Sequence, residues 1–132
     1  FESLERYAEA LGWINLSIDI KEKNNPAKNT DSLSNSYHQK SSIFESLERY
    51  AEALDWINLS IDIKEKNNPA KDTISISKTY WVKSKILLNL AQYAEALAYI
   101  NFAITTIQTK FPTSIFLEKY QSTKQEILAK MP

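Results

Sequence analysis

The chain has 132 residues, with 16 basic and 16 acidic side chains, one His, one Gly and no Cys. It is long enough to bury a core of its own, and its zero net charge argues against non-specific nucleic-acid binding. The absence of Cys excludes a disulfide framework and a thiol nucleophile. The single Gly excludes Gly-rich phosphate loops and disfavours a hairpin-rich β architecture. An all-α protein without a cofactor or a metal is the class that remains.

The beginning of the chain predicts neither export nor membrane insertion. No run approaches the roughly 18 apolar residues of a membrane span, and residues 1–6 are charged, unlike a secretory signal. The chain begins with Phe1 at a point that lies inside a predicted element of a later copy. We therefore expect a cytoplasmic fragment of a longer array, without a membrane partner.

Internal repetition dominates the sequence. Residues 1–30 and 44–73 match at 28 of 30 positions with an offset of 43 residues. A third, diverged copy follows at the same offset, for example in the run Tyr93-Ala94-Glu95-Ala96-Leu97, which repeats residues 50–54. A fixed period of this size indicates units that bury their apolar faces by stacking on their neighbours.

Apolar spacing within each unit is helical. Ala53, Ile57 and Ile61 follow one another at four-residue intervals, which places them on one helix face. Thr30 or Asp31 is suited to cap one helix, and Asp72 or Thr73 another, while Pro69 follows a helix end. In chain order, the predicted helices are 7–23, 31–48, 50–66, 73–91, 93–109 and 114–130.

These positions resemble the tetratricopeptide repeat. The matching residues are Tyr37 and Tyr80, Ser41 and Ser84, Phe44 and Leu87, Tyr50 and Tyr93, then Ala10, Ala53 and Ala96, Ile14, Ile57 and Ile100, and Ser17, Ser60 and Ala103. The resemblance implies an all-α, right-handed superhelix of antiparallel helix pairs, each made of a helix A and a helix B. It divides the chain into a truncated repeat (1–29), two repeats (30–72 and 73–112) and a C-terminal capping helix (113–132) within a single domain.

Two features depart from the usual family pattern. Lys40 and Lys83 stand where helix A usually has Leu, so that either the ammonium groups extend outward or helix A is rotated. The period is 43 residues rather than the usual 34, which is similar to the long repeats of kinesin light chains and related bacterial arrays.

The resemblance also implies a concave groove lined by the A helices, which binds a peptide or a partner helix. The implied groove residues are Asn35, His38, Ser42 and Glu45 in one repeat and Lys78, Trp81, Lys85, Leu88 and Asn89 in the next. Residues 31–43 and 74–86 agree at only 6 of 13 positions. Either selection for partners or drift after duplication accounts for that divergence.

Several of these residues have two interpretations. Trp81 is either a binding anchor in the groove or a packing residue beside Tyr80. His38 is either a pH-sensitive contact or a solvated side chain, and the Lys residues of the third unit either attract an acidic peptide or form a solvated face. The apolar residues at one repeat position, Leu16, Leu59 and Phe102, indicate either a second contact surface, self-association or ordinary packing between B helices.

The sequence therefore predicts a non-catalytic scaffold for protein–protein interaction. Its lone His has no nucleophile motif around it, which argues against an enzyme. Two alternatives stay open: the array is a sensor region of a larger signalling protein, or its near-identical repeats self-assemble into homo-oligomers by exchanging helix pairs.

Overall fold

A computed structural model describes residues 2–132, with side chains from Leu4 onward. Those residues form helices and turns and no strand, so the predicted all-α class is confirmed. The helices of the described chain are α1 (Glu2–Asn24), α2 (Asp31–Ser46), α3 (Tyr50–Asn67), α4 (Ile74–Asn89), α5 (Tyr93–Lys110) and α6 (Phe116–Lys130). The bounds of α4 and α5 equal those of α2 and α3 shifted by 43 residues. The repeat in the sequence is thus a repeat of helix pairs.

Threonine caps begin both of the A-type helices α2 and α4. The hydroxyl of Thr30 accepts a hydrogen bond from the backbone N–H of Leu33 at 3.2 Å, and Thr73 accepts one from Ile76 at 3.1 Å. Both caps are in extended backbone, as N-cap residues are. From the sequence, either Thr or Asp was a candidate for the N-cap of each helix, and the structure assigns the cap to Thr in both helices.

The turn inside each helix pair is a Schellman motif. After α2, the N–H of Arg49 donates to the carbonyl of Phe44 at 2.9 Å, and the N–H of Glu48 donates to that of Glu45 at 3.0 Å. The same pair of bonds recurs 43 residues later, at 2.9 and 3.1 Å. In these two turns, the residue in the left-handed region is Glu48 (φ 58°) after α2 and Ala91 (φ 60°) after α4, at a position where glycine is the usual choice.

Proline shapes the loops that follow the B-type helices. Pro26, Pro69 and Pro112 each occupy the second position of a turn in which the fourth N–H donates to the first carbonyl at 2.9 Å. Proline favours that position because its ring fixes φ near the required value. The three loops therefore keep the same spacing as the helices they connect.

The chain divides into two compact units, Phe1–Asn67 and Asn68–Pro132. In the first unit, α2 packs against both α1 and α3, around a core of Ile14, Ile18, Leu33, Tyr37 and Ile63. In the second unit, α5 packs against α4 and α6. The fully buried side chains there include Ile76, Ile86, Ile100, Tyr120 and Ile127.

Small side chains let α2 approach α3 closely. The hydroxyls of Ser34 and Ser60 lie 2.9 Å apart, and each donates to the other residue's carbonyl, at 2.9 and 2.8 Å. Ser41 donates to the carbonyl of Ala53 at 2.7 Å. All four residues are fully buried, so these bonds satisfy polar groups that water does not reach.

The unexpected lysines of helix A lie over aromatic rings of helix B. The ammonium of Lys40 is 3.8 Å from the ring centroid of Trp56. Lys83 is 4.2 Å from the ring of Tyr99 and donates to its hydroxyl at 3.1 Å. Burial lowers the pKa of Lys40, and the carboxylates of Asp19, Glu22 and Glu52 partly offset that effect. At the position where the family usually has Leu, each lysine therefore packs against helix B through a cation–π contact.

Candidate functional site

The nine predicted groove residues lie on α2 and α4, as expected for A helices. The four on α2 are treated first, because they belong to the first unit. Asn35 is exposed, and its side-chain oxygen accepts a hydrogen bond from the ammonium of Lys64 at 2.8 Å. His38, Ser42 and Glu45 are half-buried. Their spacing of three or four residues places all four on one side of α2.

The contact of Asn35 has a structural role. Lys64 on α3 is almost fully buried, and burial lowers its pKa, while the nearby carboxylate of Asp31 raises it. A buried ammonium requires hydrogen-bond acceptors, and Asn35 supplies one. This residue therefore helps to join α2 to α3.

Trp81 on α4 packs against α6. Its indole N–H donates to the hydroxyl of Thr123 at 2.8 Å, and its ring lies 5.4 Å from that of Tyr120. The ammonium of Lys85 lies 4.1 Å from the centroid of the Trp81 ring. Trp81 is only half-buried, so that part of a well-fixed ring faces solvent. The contact with α6 differs from the predicted packing beside Tyr80.

The exposed part of Trp81 lines a groove between α4 and α6, within the second unit. The groove encloses about 560 Å³, and its lining residues are Trp81, Lys85, Ile115, Glu118, Lys119, Ser122, Thr123 and Glu126. We call this feature the α4/α6 groove. Its wall combines an aromatic ring, an exposed Ile and charges of both signs, a mixture suited to a polypeptide segment.

The other predicted residues of α4 lie outside that lining. Lys78 contacts the ring of Phe116, with its ammonium 4.4 Å from the centroid. Leu88 is half-buried, and the amide of Asn89 donates to the carbonyl of Lys85 at 2.9 Å near the helix end. Of the five α4 residues, the structure therefore brings Trp81 and Lys85 together in the groove.

The contribution of α6 to the groove was missed, because the repeat pattern placed no groove residue after Asn89. The 43-residue offset contained the signal: Tyr120 stands one period after Ser77, and their hydroxyls are 3.0 Å apart. In this unit α6 occupies the place of a further helix A. Burial raises the pKa of the Tyr120 hydroxyl, an effect that its hydrogen bond with Ser77 partly opposes.

The described residues also limit the kinds of site available. They contain no group of three or more His, Asp or Glu side chains able to hold a metal ion. From Glu2 to Pro132, no helix has the length and apolar character needed to cross a bilayer.

Comparison with known proteins identifies the helix pair α2 and α3. Residues 34–67 match the family model of the tetratricopeptide repeat, and these residues run from the first turn of α2 to the end of α3. A comparison with curated proteins gives no significant match. The matched segment contains the paired helices, the intervening turn and the buried small residues described above. Residues 34–67 therefore form a tetratricopeptide repeat within this chain.

Proposed function

We propose that the chain is a non-catalytic scaffold that binds an extended segment of a partner protein in the α4/α6 groove. Tetratricopeptide repeats in general mediate protein–protein interaction. The observation that carries the proposal is Trp81, an aromatic side chain that is fixed by its neighbours and still partly exposed inside a groove. Tryptophan is enriched among the residues that dominate binding energy at interfaces.

The fixed position of Trp81 favours binding, because a side chain that is already immobilised loses little further entropy when a ligand arrives. Thr123 holds the indole N–H, Tyr120 supports one side of the ring, and Lys85 lies over it. Ile115, three-quarters exposed, adds an apolar contact on the opposite wall. An apolar or aromatic side chain of the ligand fits between Ile115 and Trp81.

Charge favours an acidic ligand. Residues 68–132 contain eight Lys and four Asp or Glu, which gives a net charge of +4. The lining of the groove itself is balanced, with Lys85 and Lys119 against Glu118 and Glu126, so the preference for an acidic ligand comes from the positive charge of the unit as a whole. Complementary charge of this kind raises the rate of association and selects among partners. The proposed ligand is therefore an acidic segment with one apolar or aromatic anchor.

The test is selection of binders from a displayed library of random peptides against the full chain, followed by affinity measurement on two matched variants. Ser122→Trp places a large side chain in the groove, whereas Gln125→Trp places the same residue on the side of α6 that faces Gln108 of α5. We expect the selected peptides to be acidic with an apolar anchor. Ser122→Trp should weaken them by about tenfold or more and Gln125→Trp should not. Equal affinity for both variants would remove the groove from the proposal.

A further inference from the structure

The turn between α2 and α3 consists of three residues whose types also occur as helix elsewhere in the chain. Leu47, Glu48 and Arg49 connect the end of α2 to the beginning of α3. The same three residue types at positions 4–6 lie inside α1. Leu, Glu and Arg are all good helix formers. The local sequence therefore permits a continuous helix at this point, and the packing of α3 on α2 selects the turn.

The α2/α3 turn is strained at its centre. Glu48 has φ 58°, a left-handed conformation that is unfavourable for a residue with a Cβ. Two backbone hydrogen bonds close the turn, and the guanidinium of Arg49 lies 4.8 Å from the ring centroid of Phe44. Short hinge loops under strain favour the exchange of elements between chains, because a straightened hinge releases the strain.

Proline disfavours such a change in the loops that follow the B-type helices. These loops contain Pro26, Pro69 and Pro112, and proline inside a helix removes a hydrogen bond and clashes with the preceding turn. The turn at 90–92 has no proline, but its sequence occurs in the described residues only as a turn. The α2/α3 turn, whose residue types occur in both conformations, is therefore the connection best suited to be a hinge.

We propose that the α2/α3 turn is a hinge that straightens into a continuous helix over residues 31–67, and that two opened chains exchange α3 to form a dimer. Opening uncovers the contact between α2 and α3, in which Ser34, Ala53 and Ser60 are fully buried. The polar groups released there need partners. A second opened copy supplies every one of them, because its α2 is the helix against which α3 already fits.

The contacts exchanged between chains are the same as those within one chain. Ser34 and Ser60 donate to each other's carbonyl groups at 2.9 and 2.8 Å. The buried ammonium of Lys64 donates to Asn35 at 2.8 Å. In the dimer each of these bonds joins two chains with unchanged geometry, as in other cases of domain swapping. The strained turn alone is replaced, by helix, so a high protein concentration favours the dimer.

The exchange goes beyond the proposed function and does not depend on it. The helices α4, α5 and α6 keep their contacts with one another in both forms, since none of these contacts involves α2 or α3. A dimer therefore carries two α4/α6 grooves. Loss of dimer formation and loss of peptide binding are consequently separate outcomes.

The first test places cysteines on the two sides of the exchanged contact. In this chain, which has no cysteine of its own, Ser34→Cys with Ser60→Cys puts two thiols where the hydroxyls lie 2.9 Å apart. The variant is refolded from urea at micromolar or millimolar concentration, oxidised, and run on a denaturing gel without reductant. We expect internally linked monomers at micromolar and covalent dimers at millimolar concentration, because there a second chain competes with the chain's own helix.

The second test changes the hinge alone and follows dimer formation by sedimentation. Glu48→Gly relieves the turn and weakens the continuous helix, so the association constant should fall by about tenfold or more. Asp55→Gly is the matched control. It also replaces an exposed acidic residue by glycine, but inside α3, which is helical in both forms. It should leave the association constant unchanged.

Three results would overturn the proposal. The first is a wild-type chain that stays monomeric after refolding at millimolar concentration. The second is a dimer of the cysteine variant in which every chain is linked internally, since two copies would then associate through their surfaces without exchange. The third is equal dimer formation by Glu48→Gly and Asp55→Gly. If circular dichroism shows the cysteine variant unfolded, the comparison of the two glycine variants decides by itself.

Discussion

The left-handed residue in the turn between α4 and α5 gives a sharp prediction about stability. Ala91 has φ 60° and is exposed, and the turn around it is closed by the bonds from Gln92 to Leu87 and from Ala91 to Leu88. An L-residue in this conformation costs about 1–2 kcal/mol relative to the right-handed region. Glycine does not have this cost because it lacks a Cβ.

Ala91→Gly should therefore stabilise the fold. The gain of about 1–2 kcal/mol in the turn is reduced by the larger conformational entropy of glycine in the unfolded chain, about 0.4–1 kcal/mol. The expected net rise in the free energy of unfolding is about 0.5–1 kcal/mol. No packing term enters, because Ala91 is exposed.

The assay is urea denaturation followed by far-UV circular dichroism, with Ala98→Gly as the matched control. Ala98 is also an exposed alanine, but it lies inside α5 in the right-handed region, where glycine lowers stability by about 1 kcal/mol. The same substitution should thus raise the midpoint at position 91 and lower it at position 98. If both variants are destabilised, Ala91 is not in a left-handed turn in solution, and the reasoning from the Schellman motif fails.

Three further results are expected. Gly12→Ala should raise the free energy of unfolding by about 1 kcal/mol, measured by urea denaturation, because Gly12 is exposed within α1 and an added Cβ would have no atom within 4 Å. Tyr37→Phe should destabilise the chain by about 1.5–3 kcal/mol near pH 8, because Tyr37 donates to the carboxylate of Glu22 at 2.6 Å. Burial is the larger cause that raises the pKa of Tyr37, and the hydrogen bond to Glu22 raises it further. Its contribution is therefore complete below the unfolded pKa of about 10 and is lost as the pH rises further; a deficit that stays constant in urea melts up to about pH 11 would contradict this. Removal of all residues after Phe111 should give insoluble protein, because it uncovers the surface that Tyr120 and Ile127 bury; a soluble truncate that unfolds cooperatively would refute this role of α6.

The helix pairs and their spacing were predictable because the forces that set them are local. Apolar residues three and four positions apart determine the buried face of each helix. Thr30 and Thr73 determine where α2 and α4 begin, and proline at a fixed turn position determines the loops. These signals act within a few residues. A near-identical copy of a sequence therefore repeats them at the same offset, as the bounds of α2 and α4 show.

The candidate site was only partly predictable. Its aromatic residue on α4 was identified from the repeat pattern, whereas the second wall of the groove depends on how α6 docks against α4 and α5. The sequence spacing between Trp81 and Thr123 is 42 residues, and a hydrogen bond over that distance follows from helix packing rather than from local pattern. Asn35 was predicted to face a ligand, and its contact with Lys64 depends equally on how α2 packs against α3.

The sequence by itself determined that the chain is a series of helices with a 43-residue period, because repetition and helical periodicity are properties of the residues alone. The tertiary structure decided the conformation and the burial of residues that are identical in sequence. Leu47-Glu48-Arg49 turn the chain, because α2 packs against α3 and the Schellman bonds close between them. The same three residues at 4–6 continue α1, which begins at Glu2 rather than at the predicted residue 7. Trp56 is half-buried because Tyr37 of α2 lies against it, whereas Trp13 is exposed because no helix of the described residues lies over it. Neighbouring helices, rather than residue type, therefore set the burial of these two side chains.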